Sequence, residues 1–328
     1  MDHLSRSLLN TYTAQPLDRV AHLRKDPAKL AQQYEHPQAL FLVLDGHNVV
    51  MLGDEPLQLN QAQWQSLKLD HTPSLLGLRL SDNIPVFKVN IRELPSDLVA
   101  LDIDPSLLES YSLREVTLKL GMETAAIYSY ALILNHWHIT TRHCTRCGTL
   151  LRQGEGGSIQ KCANGNCEHI EFPRINPAVI MRVTCGNKIL LARQATWPEH
   201  RYSVLAGFVE IGETLESAVQ REVFEEVGIQ IENICYHSSQ PWPFPNSLML
   251  GYSAEAKDTT LDLEDDDIDQ ALWLSADELR EQMIAGTVMP PPNLSISYRL
   301  IDDWFQAESG ETLETFQSNL PWHSPAEK

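Results

Sequence analysis

The feature that most constrains this chain is the segment GFVEIGETLESAVQREVFEEVGI, which spans residues 207–229. It keeps apolar residues at helical spacing, yet it places Glu222, Glu225 and Glu226 directly behind Arg221. Carboxylates three or four residues apart on a helix repel each other. Such a cluster is therefore either a solvated acidic face or a set of ligands that a cation holds together.

The spacing predicts a helix over residues 214–227, with a threonine as its N-cap and Gly228 as its left-handed end. At about 100° per residue, Glu222 and Glu226 project from one side and Glu225 from about 80° away. Aliphatic residues fill the other arcs, so the helix can pack while it presents three carboxylates together. Grouped oxygen ligands suit Mg²⁺ or Mn²⁺. A glutamate that is not fully committed to metal can take a proton from water.

The composition bounds the possible partners. The chain has 328 residues, enough for two or three domains, and a formal net charge of -19. A chain this acidic repels bulk nucleic acid, so non-specific binding to duplex DNA is not expected, whereas divalent cations can mediate contacts with phosphate-rich ligands. No apolar run reaches membrane-spanning length and no secretory signal is recognisable, so we expect no membrane partner and a cytoplasmic location.

Four of the six cysteines lie in one short window and have the spacing of a zinc ribbon. They are Cys144, Cys147, Cys162 and Cys167. Two disulfides are the competing interpretation, which the reducing cytosol disfavours. His143 and His169 are alternative ligands, but four thiolates already complete a structural zinc shell. Cys185 and Cys235 stand alone in apolar stretches, which favours buried free thiols.

The order of the segments predicts an α/β protein. Apolar runs at 39–52 and 75–91 indicate strands separated by turns, and 119–138 indicates a helix. After the cysteines, strands, the glutamate helix, further strands and two helices follow. We divide the chain into an N-terminal α+β domain (1–138), a zinc ribbon (139–171), a catalytic domain (172–306) and a polar tail expected to fray (307–328).

The glutamate segment resembles a known motif. Gly207-x5-Glu213-x7-Arg221-Glu222-Val223-x-Glu225-Glu226-x-Gly228-Ile229 matches every fixed position of the Nudix box. The Nudix family hydrolyses nucleoside diphosphates linked to another moiety and has an α/β/α sandwich fold. The resemblance implies that the N-terminal domain is followed by a zinc ribbon and a Nudix catalytic domain.

The resemblance also implies roles for individual residues. Glu222, Glu225 and Glu226 would bind Mg²⁺ or Mn²⁺, with Glu226 or a neighbour as the base. Arg221 and Glu213 would pair to hold the loop and the helix in register. The carbonyl of Ala206 would face a metal ion. Asp267 aligns with a further metal-binding glutamate of the family, and because it is shorter by one methylene, Asp266 or Asp269 could take its place.

A second stretch, SQPWPFPNS at 239–247, narrows the substrate. Its aromatic rings could stack on a nucleobase, or the segment could be a packed loop under the sheet. It resembles the signature of NADH pyrophosphatases, with Asn246 in place of the usual glutamine. The predicted substrate-binding residues in it are Gln240, Pro241, Trp242, Pro243, Phe244, Pro245, Asn246 and Ser247.

The same resemblance implies further substrate contacts. Phe172 and Phe208 would sandwich the nicotinamide ring. Arg114 lies in a stretch whose arginine helps to bind substrate, and Ser297 stands in the closing segment where the family commonly has alanine.

The implied reaction is metal-dependent hydrolysis of the diphosphate of NADH or NAD to AMP and nicotinamide mononucleotide. Removal of NAD caps from RNA 5′ ends cleaves the same bond, and the resemblance also implies a homodimer. Two alternatives stay open: a Nudix hydrolase of another substrate, such as ADP-ribose or diadenosine compounds, and a non-catalytic zinc-ribbon nucleotide sensor.

Overall fold

The computed structural model describes residues 2–68, 73–91, 101, 103–263 and 267–320. The α-helices are α1 (His3–Leu8), α2 (Ala21–Arg24), α3 (Pro27–Tyr34), α4 (Gln61–Ser66), α5 (Leu113–Thr140), α6 (Leu215–Val227), α7 (Ala276–Ala285), α8 (Ile296–Ser309) and α9 (Leu313–Ser318). The strands are β1 (Leu17–Asp18), β2 (Leu40–Asp45), β3 (Asn48–Leu52), β4 (Glu55–Pro56), β5 (Gln58–Asn60), β6 (Ser74–Arg79), β7 (Pro85–Asn90), β8 (Leu108–Ser112), β9 (Leu151–Gly154), β10 (Ile159–Cys162), β11 (Ile170–Glu171), β12 (Asn176–Cys185), β13 (Lys188–Arg193), β14 (Leu205–Phe208), β15 (Ile231–Trp242), β16 (Ser247–Ala256) and β17 (Gln270–Ser275).

The chain forms two compact units. The first unit comprises the described residues of 1–11, 176–240 and 247–328, and the second unit comprises those of 12–175 and 241–246. The first eleven residues thus belong to the first unit, and residues 172–175 and 241–246 belong to the second. The separate domain limits at 138 and 171 stay a prediction.

The second unit is built on a mixed sheet with strand order β1-β6-β7-β2-β3-β4, to which β5 adds on β2 and β8 on β3. Strand β2 is apolar on both faces: Leu42 and Leu44 pack toward α5, while Phe41 and Val43 pack into a second cluster with residues of β5 and β7. Both faces are therefore covered, which explains the unbroken apolar run that predicted these strands. The predicted turn after Asp45 joins β2 to β3.

Helix α5 begins earlier than predicted. It starts at Leu113 behind a capping box formed by Ser112 and Glu115, and Gly121 interrupts it with a φ of 71°. Because Gly121 interrupts the helix, the apolar periodicity did not extend to its first two turns. The S-x-x-E pattern of Ser112 and Glu115 is the sequence signal that marks the true start. The cysteine window follows α5 and carries a small sheet with the order β11-β10-β9.

The first unit is an α/β/α sandwich, as predicted. Its sheet has the order β15-β16-β12-β13-β17, with β14 on β12, and β12 pairs with β16 in parallel. Alternate residues of β12 face opposite sides: Val179 and Met181 pack with α6, whereas Ile180 packs with α8. The sheet thus separates the glutamate helix from the C-terminal helices.

The expectation that the segment from 307 frays was wrong for its described part. Helix α8 continues to Ser309, and α9 follows it. Leu313 is fully buried in the core around α8, and Phe316 packs against the same cluster. The apolar side chains of this segment are three residues apart, so one turn of helix brings them to the same face. Residues 321–328 lie outside the described residues.

Within the described part of the chain, no helix is both long and apolar enough to span a bilayer.

Candidate functional site

Helix α6 forms where the sequence predicted it. Thr214 caps its first turn by accepting a hydrogen bond from the Ser217 N–H, and Gly228 ends it with a φ of 72°. A side chain at Gly228 would also collide with Asp262, since a Cβ there would lie 2.6 Å from the Asp262 Cβ. Both helix ends are therefore determined by local residue choice.

Arg221 is the centre of the site. Its Nε and Nη2 donate to the two carboxylate oxygens of Glu213 at 2.7 and 2.9 Å. Its Nη1 donates to Glu222 and to Glu225, each at 2.9 Å, and Nη2 also donates to the Phe208 carbonyl at 2.9 Å. A guanidinium has five N–H groups, and all five are used here. The predicted pairing of Arg221 with Glu213 is present, and it ties helix α6 to the loop that precedes it.

Gly207 makes room for Glu222. A Cβ built on Gly207 would lie 1.8 Å from Glu222 Cδ and about as close to both carboxylate oxygens, at 2.0 and 2.1 Å. The Glu222 carboxylate therefore rests directly on the backbone of β14, one residue from Ala206. In the sequence, Gly207 was recognisable only as a fixed position of the motif. The close approach of Glu222 explains why this position requires glycine.

The pKa values of Glu213 and Glu222 are shifted in opposite directions. Hydrogen bonds from Arg221 and from the Glu210 N–H lower the pKa of Glu213 to about 2. Burial raises the pKa of Glu222, although Arg221 opposes this shift. The carboxylates in turn raise the pKa of Arg221. A half-buried carboxylate whose pKa is raised gains from a nearby cation, which is the environment that a divalent ion can use.

The three helix glutamates differ in exposure. Glu226 is 8% exposed, whereas Glu225 is open to solvent. Their ligand oxygens do not converge as the cysteines do: among the described residues, the four cysteines are the group of His, Cys, Asp or Glu placed to hold a metal ion, with all ligand atoms within 4.8 Å of one another. The chemistry of the carboxylate donors fits a hard divalent cation, which would share Glu222 and Glu225 with Arg221.

The acidic segment after the box is only partly described. Asp267 is exposed, and its assignment to metal stays a prediction. Asp266 lies outside the described residues. Asp269 forms an ion pair with Arg193, which makes it a weaker alternative.

The aromatic loop is a strand end followed by a turn rather than an extended loop. Gln240, Pro241 and Trp242 end β15, and residues 243–246 turn into β16. In the second unit, the Arg114 guanidinium lies 4.6 Å from the Phe244 ring centroid and 5.5 Å from that of Trp242. Arg114, Trp242 and Phe244, which the sequence predicted to bind substrate, are therefore in contact through cation–π interactions.

The aromatic rings of the loop also pack. Phe244 lies edge-on to Trp242, at 5.1 Å between ring centroids, and to Tyr12, at 6.2 Å. Both loop aromatics join the apolar cluster beneath α5. The alternative of a packed loop is thus confirmed in part: the rings of Trp242 and Phe244 pack against this cluster, but both side chains remain partly exposed.

Two predicted substrate contacts are buried. Gln240 is 0% exposed; its Nε2 donates to the carbonyls of Thr11 and Leu294, and its Oε1 accepts from the Ile296 N–H at 2.7 Å. Ser297 is 2% exposed, and its hydroxyl lies 2.6 Å from that of Ser203. Their polar atoms are engaged with other residues of the first unit, so these side chains stabilise its interior rather than face a ligand directly.

The two phenylalanines predicted to hold nicotinamide are both exposed. Phe172 in the second unit is 63% exposed, and Phe208 in the first unit is 60% exposed. Large exposed aromatic faces are available for stacking. Among the remaining loop residues, Ser247 is buried and Asn246 donates to the Arg174 carbonyl at 3.2 Å.

The four window cysteines form one cluster within the second unit. Their Sγ atoms all lie within 4.8 Å of one another, and the cysteines are free rather than disulfide-bonded. The Sγ atoms of Cys147 and Cys162 are separated by 3.4 Å, and those of Cys144 and Cys167 by 3.9 Å. Hydrogen bonds with Thr149 lower the pKa of Cys147, which favours the thiolate that a metal needs, whereas burial raises the pKa of Cys162. The donor set can hold a metal ion.

The neighbouring polar residues surround this cluster without joining it. Thr145 and His169 both bond to Glu171, and His169 Nε2 lies 2.9 Å from the carboxylate. His169 is therefore engaged with Glu171. The expectation for the remaining cysteines was wrong, because Cys185 is partly exposed and Cys235 is exposed.

The fold and the site define a class. A mixed sheet lies between α6 and the C-terminal helices, and a glutamate-rich helix is held to its loop by an arginine. Residues 174–290 match the model of the NUDIX domain. The chain belongs to the Nudix hydrolase family, in the subfamily of NADH pyrophosphatases.

Particular relatives extend the similarity beyond that domain. The NAD-capped RNA hydrolase NudC of Mycobacterium bovis is 33% identical over 302 residues, which cover 89% of this chain and 93% of the relative. The NAD-capped RNA hydrolase NUDT12 of Homo sapiens is 29% identical over 339 residues, which cover 90% and 73%. The mitochondrial NAD(P)H pyrophosphatase NUDT13 of Homo sapiens is 35% identical over 215 residues, which cover 61% and 60%.

Proposed function

We propose that this protein hydrolyses the diphosphate of NADH and NAD to AMP and nicotinamide mononucleotide, and that it removes NAD caps from RNA 5′ ends. The observation that carries the proposal is the Arg221 network, which holds Glu225 and the Glu222 carboxylate that lies against Gly207, on the same helix as the buried Glu226. The similarity to NAD-capped RNA hydrolases over nine-tenths of the chain supports the substrate class.

The reaction needs water, a base and stabilisation of negative charge. Water attacks one phosphorus of the diphosphate, the P–O bond to the bridging oxygen breaks, and the proton of the water passes to a carboxylate. Glu226 is our choice for that base, because it is the least exposed of the helix glutamates. Arg221 neutralises part of the carboxylate cluster and keeps Glu222 and Glu225 in place.

Divalent ions complete this chemistry. Glu222, Glu225, Glu226 and the carbonyl of Ala206 would hold Mg²⁺ or Mn²⁺, with Asp267 as a further ligand. When bound, such ions neutralise phosphate charge and lower the pKa of water. Zinc at Cys144, Cys147, Cys162 and Cys167 would be structural, since four thiolates leave no open position.

Substrate recognition rests on aromatic side chains. Trp242 and Phe244, with Arg114 against them, would form a base-binding surface, and Phe172 and Phe208 would hold nicotinamide. The homodimer and the cytoplasmic location stay part of the proposal, as do the domain limits at 138 and 171.

A substrate panel tests the proposal against its alternatives. We would compare kcat/KM for NADH, NAD, NAD-capped RNA, ADP-ribose and a diadenosine polyphosphate under one metal condition. We expect NADH and NAD-capped RNA to be preferred. Preference for ADP-ribose or diadenosine compounds would indicate another Nudix substrate. Binding of dinucleotide without hydrolysis of any compound would favour the sensor.

A further inference from the structure

A cavity of about 560 Å³ lies in the first unit, away from the glutamates. Charged and titratable side chains contribute much of its lining. They are His3, Arg6, Arg182, His237, Arg299 and Asp303. Three arginines against one aspartate give this lining a formal charge of +2 with neutral histidines, in a chain whose net charge is -19. A positively charged cavity on such an acidic protein is the first indication of a binding site for an anion.

Arg182 is the least satisfied cation of the cavity. It is half-buried on β12, and its Nε is buried without a hydrogen-bond partner. Among the described residues, no hydrogen bond or ion pair joins its guanidinium to another group. Burial lowers the pKa of Arg182, Asp303 opposes this from nearby, and Arg6 adds to the lowering.

Arg193, Arg280 and Arg299 also have a buried Nε without a partner, but each of them donates through another guanidinium nitrogen. Arg24 donates to the carbonyls of Arg19, Leu75 and Leu76 at 2.7 to 2.9 Å. Arg221 uses all five N–H groups. Leaving a buried charged donor unsatisfied is costly, so Arg182 lacks an acceptor that something else can supply.

The aspartate in the cavity is already engaged. Asp303 accepts from His237 Nε2 at 2.7 Å, and the other ring nitrogen lies 2.8 Å from the Ser238 hydroxyl. The neutral tautomer with a proton on Nε2 satisfies both contacts, since the serine hydroxyl can donate to Nδ1. Arg299 reaches Asp302 at 3.4 Å and the Leu9 carbonyl at 3.5 Å. Arg299 keeps only its Nε without a partner, whereas Arg6 and Arg182 make no side-chain hydrogen bond within the described part of the chain.

The N-terminal segment forms one wall of the cavity and is held in place. The Ser239 N–H donates to the Ser7 hydroxyl at 3.0 Å, and Asn10 Nδ2 donates to the Ser238 hydroxyl at 3.2 Å and to the Ser239 carbonyl at 3.0 Å. His3 packs edge-on against Tyr236, with 5.3 Å between ring centroids. Helix α1 therefore presents Arg6 to the cavity from a position fixed on β15.

The cavity lies on the opposite side of the sheet from the catalytic glutamates. Arg182 follows Ile180 at the strand period and shares its face, which packs with α8, whereas Val179, Met181 and Val183 pack with α6. Arg299 and Asp303 are on α8. A ligand in this cavity would not contact Glu222, Glu225 or Glu226.

We propose that this cavity is a second binding site, which takes a small phosphate-bearing anion between Arg6 and Arg182. A guanidinium binds phosphate oxygens through charge-assisted hydrogen bonds, and two guanidiniums facing one cavity match a group with several acceptor oxygens. A volume of this size accommodates either free phosphate with water or a nucleotide monophosphate.

Calorimetric titration of the full chain tests the site. The protein is exchanged into buffer without Mg²⁺ or Mn²⁺, with its zinc retained, and titrated separately with inorganic phosphate and with AMP at matched ionic strength. We compare wild type with R6Q, R182Q and R182K. K257Q removes an exposed charge from the same unit and is the matched control.

We expect saturable one-to-one binding of at least one probe. R6Q and R182Q should weaken it roughly tenfold to a hundredfold, the effect of losing a hydrogen bond to a charged group. K257Q should leave it unchanged, and R182K should bind with intermediate affinity. Binding of phosphate alone would identify a free-phosphate site, and tighter binding of AMP would identify a nucleotide site.

Two results would overturn the proposal: no binding of either probe to the folded wild type, or wild-type affinity in R6Q. The R6Q measurement tests the proposal even if R182Q fails to fold. Arg6 lies on a short helix without buried residues, so we expect R6Q to leave the core intact. Circular dichroism of each variant verifies folding. Because the site is separate from the glutamates, its failure would leave the proposed hydrolase activity standing.

Discussion

The α-carbon of Gly207 lies against the carboxylate of Glu222, so closely that a methyl group on residue 207 would sit 1.8 Å from Glu222 Cδ. A strand glycine and a helix glutamate, fifteen positions apart, thus share one small volume. The position of the carboxylate depends on the absence of a side chain opposite it. Because the carboxylate has been taken from water and placed against backbone, its alternatives are limited.

Gly207→Ala is expected to displace Glu222 and to lower kcat/KM for NADH roughly a hundredfold, since small misplacements of catalytic groups have effects of that size. Steady-state kinetics at saturating Mn²⁺ measures this. Gly165→Ala is the control, because the space around that glycine is open and its backbone is unstrained. Wild-type activity in Gly207→Ala would contradict the assigned contact.

Arg221→Lys should lose both activity and stability. Lysine keeps the charge but cannot make the five hydrogen bonds of Arg221 or its two-point contact with Glu213. We expect the free energy of unfolding to fall by about 1–3 kcal/mol, as for loss of hydrogen bonds to a charged group. Urea unfolding measures the change. Unaltered stability would mean that the network does not hold loop and helix together.

The pairing of Glu213 with Arg221 predicts a pH-dependent stability. The pKa of Glu213 in the folded protein is about 2, below its ordinary value of 4.5. Ionised Glu213 therefore stabilises the fold fully above about pH 4.5, and this contribution is lost as the pH falls through about 2. The difference in unfolding free energy between wild type and Glu213→Gln should narrow from pH 7 towards pH 3. A difference that grows on acidification would be the opposite sign.

The cysteine cluster predicts a structural metal. Cys147→Ser should lower the zinc content and the thermal stability together, because binding energy at such a site is folding energy. Cys185→Ser, which changes a cysteine outside the cluster, should retain the zinc of the wild type. Elemental analysis and thermal melts measure both quantities. Equal zinc content in the two variants would remove the cluster as the zinc site.

The aromatic residues predict a contrast between packing and binding. Phe244→Ala should lower the free energy of unfolding by about 1–2 kcal/mol, because Phe244 is partly buried against Tyr12 and Trp242, and it should also raise KM. Phe172→Ala removes an exposed ring and should raise KM with a stability change within about 0.5 kcal/mol. Equal losses of stability in Phe244→Ala and Phe172→Ala would contradict the prediction that only Phe244 contributes to packing.

Much of the site was predictable because its signals are local. Thr214 and Gly228 mark the ends of α6, and the glutamate spacing fixes which side chains share a face. The cysteine spacing predicted a cluster that the structure forms. Capping, periodicity and turn residues act within a few positions, so the sequence alone carries them.

The rest depends on contacts between distant positions. The burial of Gln240 arises from partners at Thr11 and Leu294. No local pattern reports such a pairing. The same holds for Arg182, whose only local signal was a charged residue inside the apolar strand PAVIMRV. Its neighbour Arg6 comes from the other end of the chain, so only the folded structure brings them to one cavity.

The most direct measurement of the central claim is chromatographic identification of the products formed from NADH by the wild type and by Glu226→Gln. Each protein is incubated with Mg²⁺ or Mn²⁺ and, separately, with chelator. We predict equal amounts of AMP and reduced nicotinamide mononucleotide from the wild type, formed only with metal, and a large loss of rate in Glu226→Gln. Undiminished turnover by Glu226→Gln would contradict the role of Glu226, and intact NADH after incubation of the metal-loaded wild type would contradict the hydrolase itself.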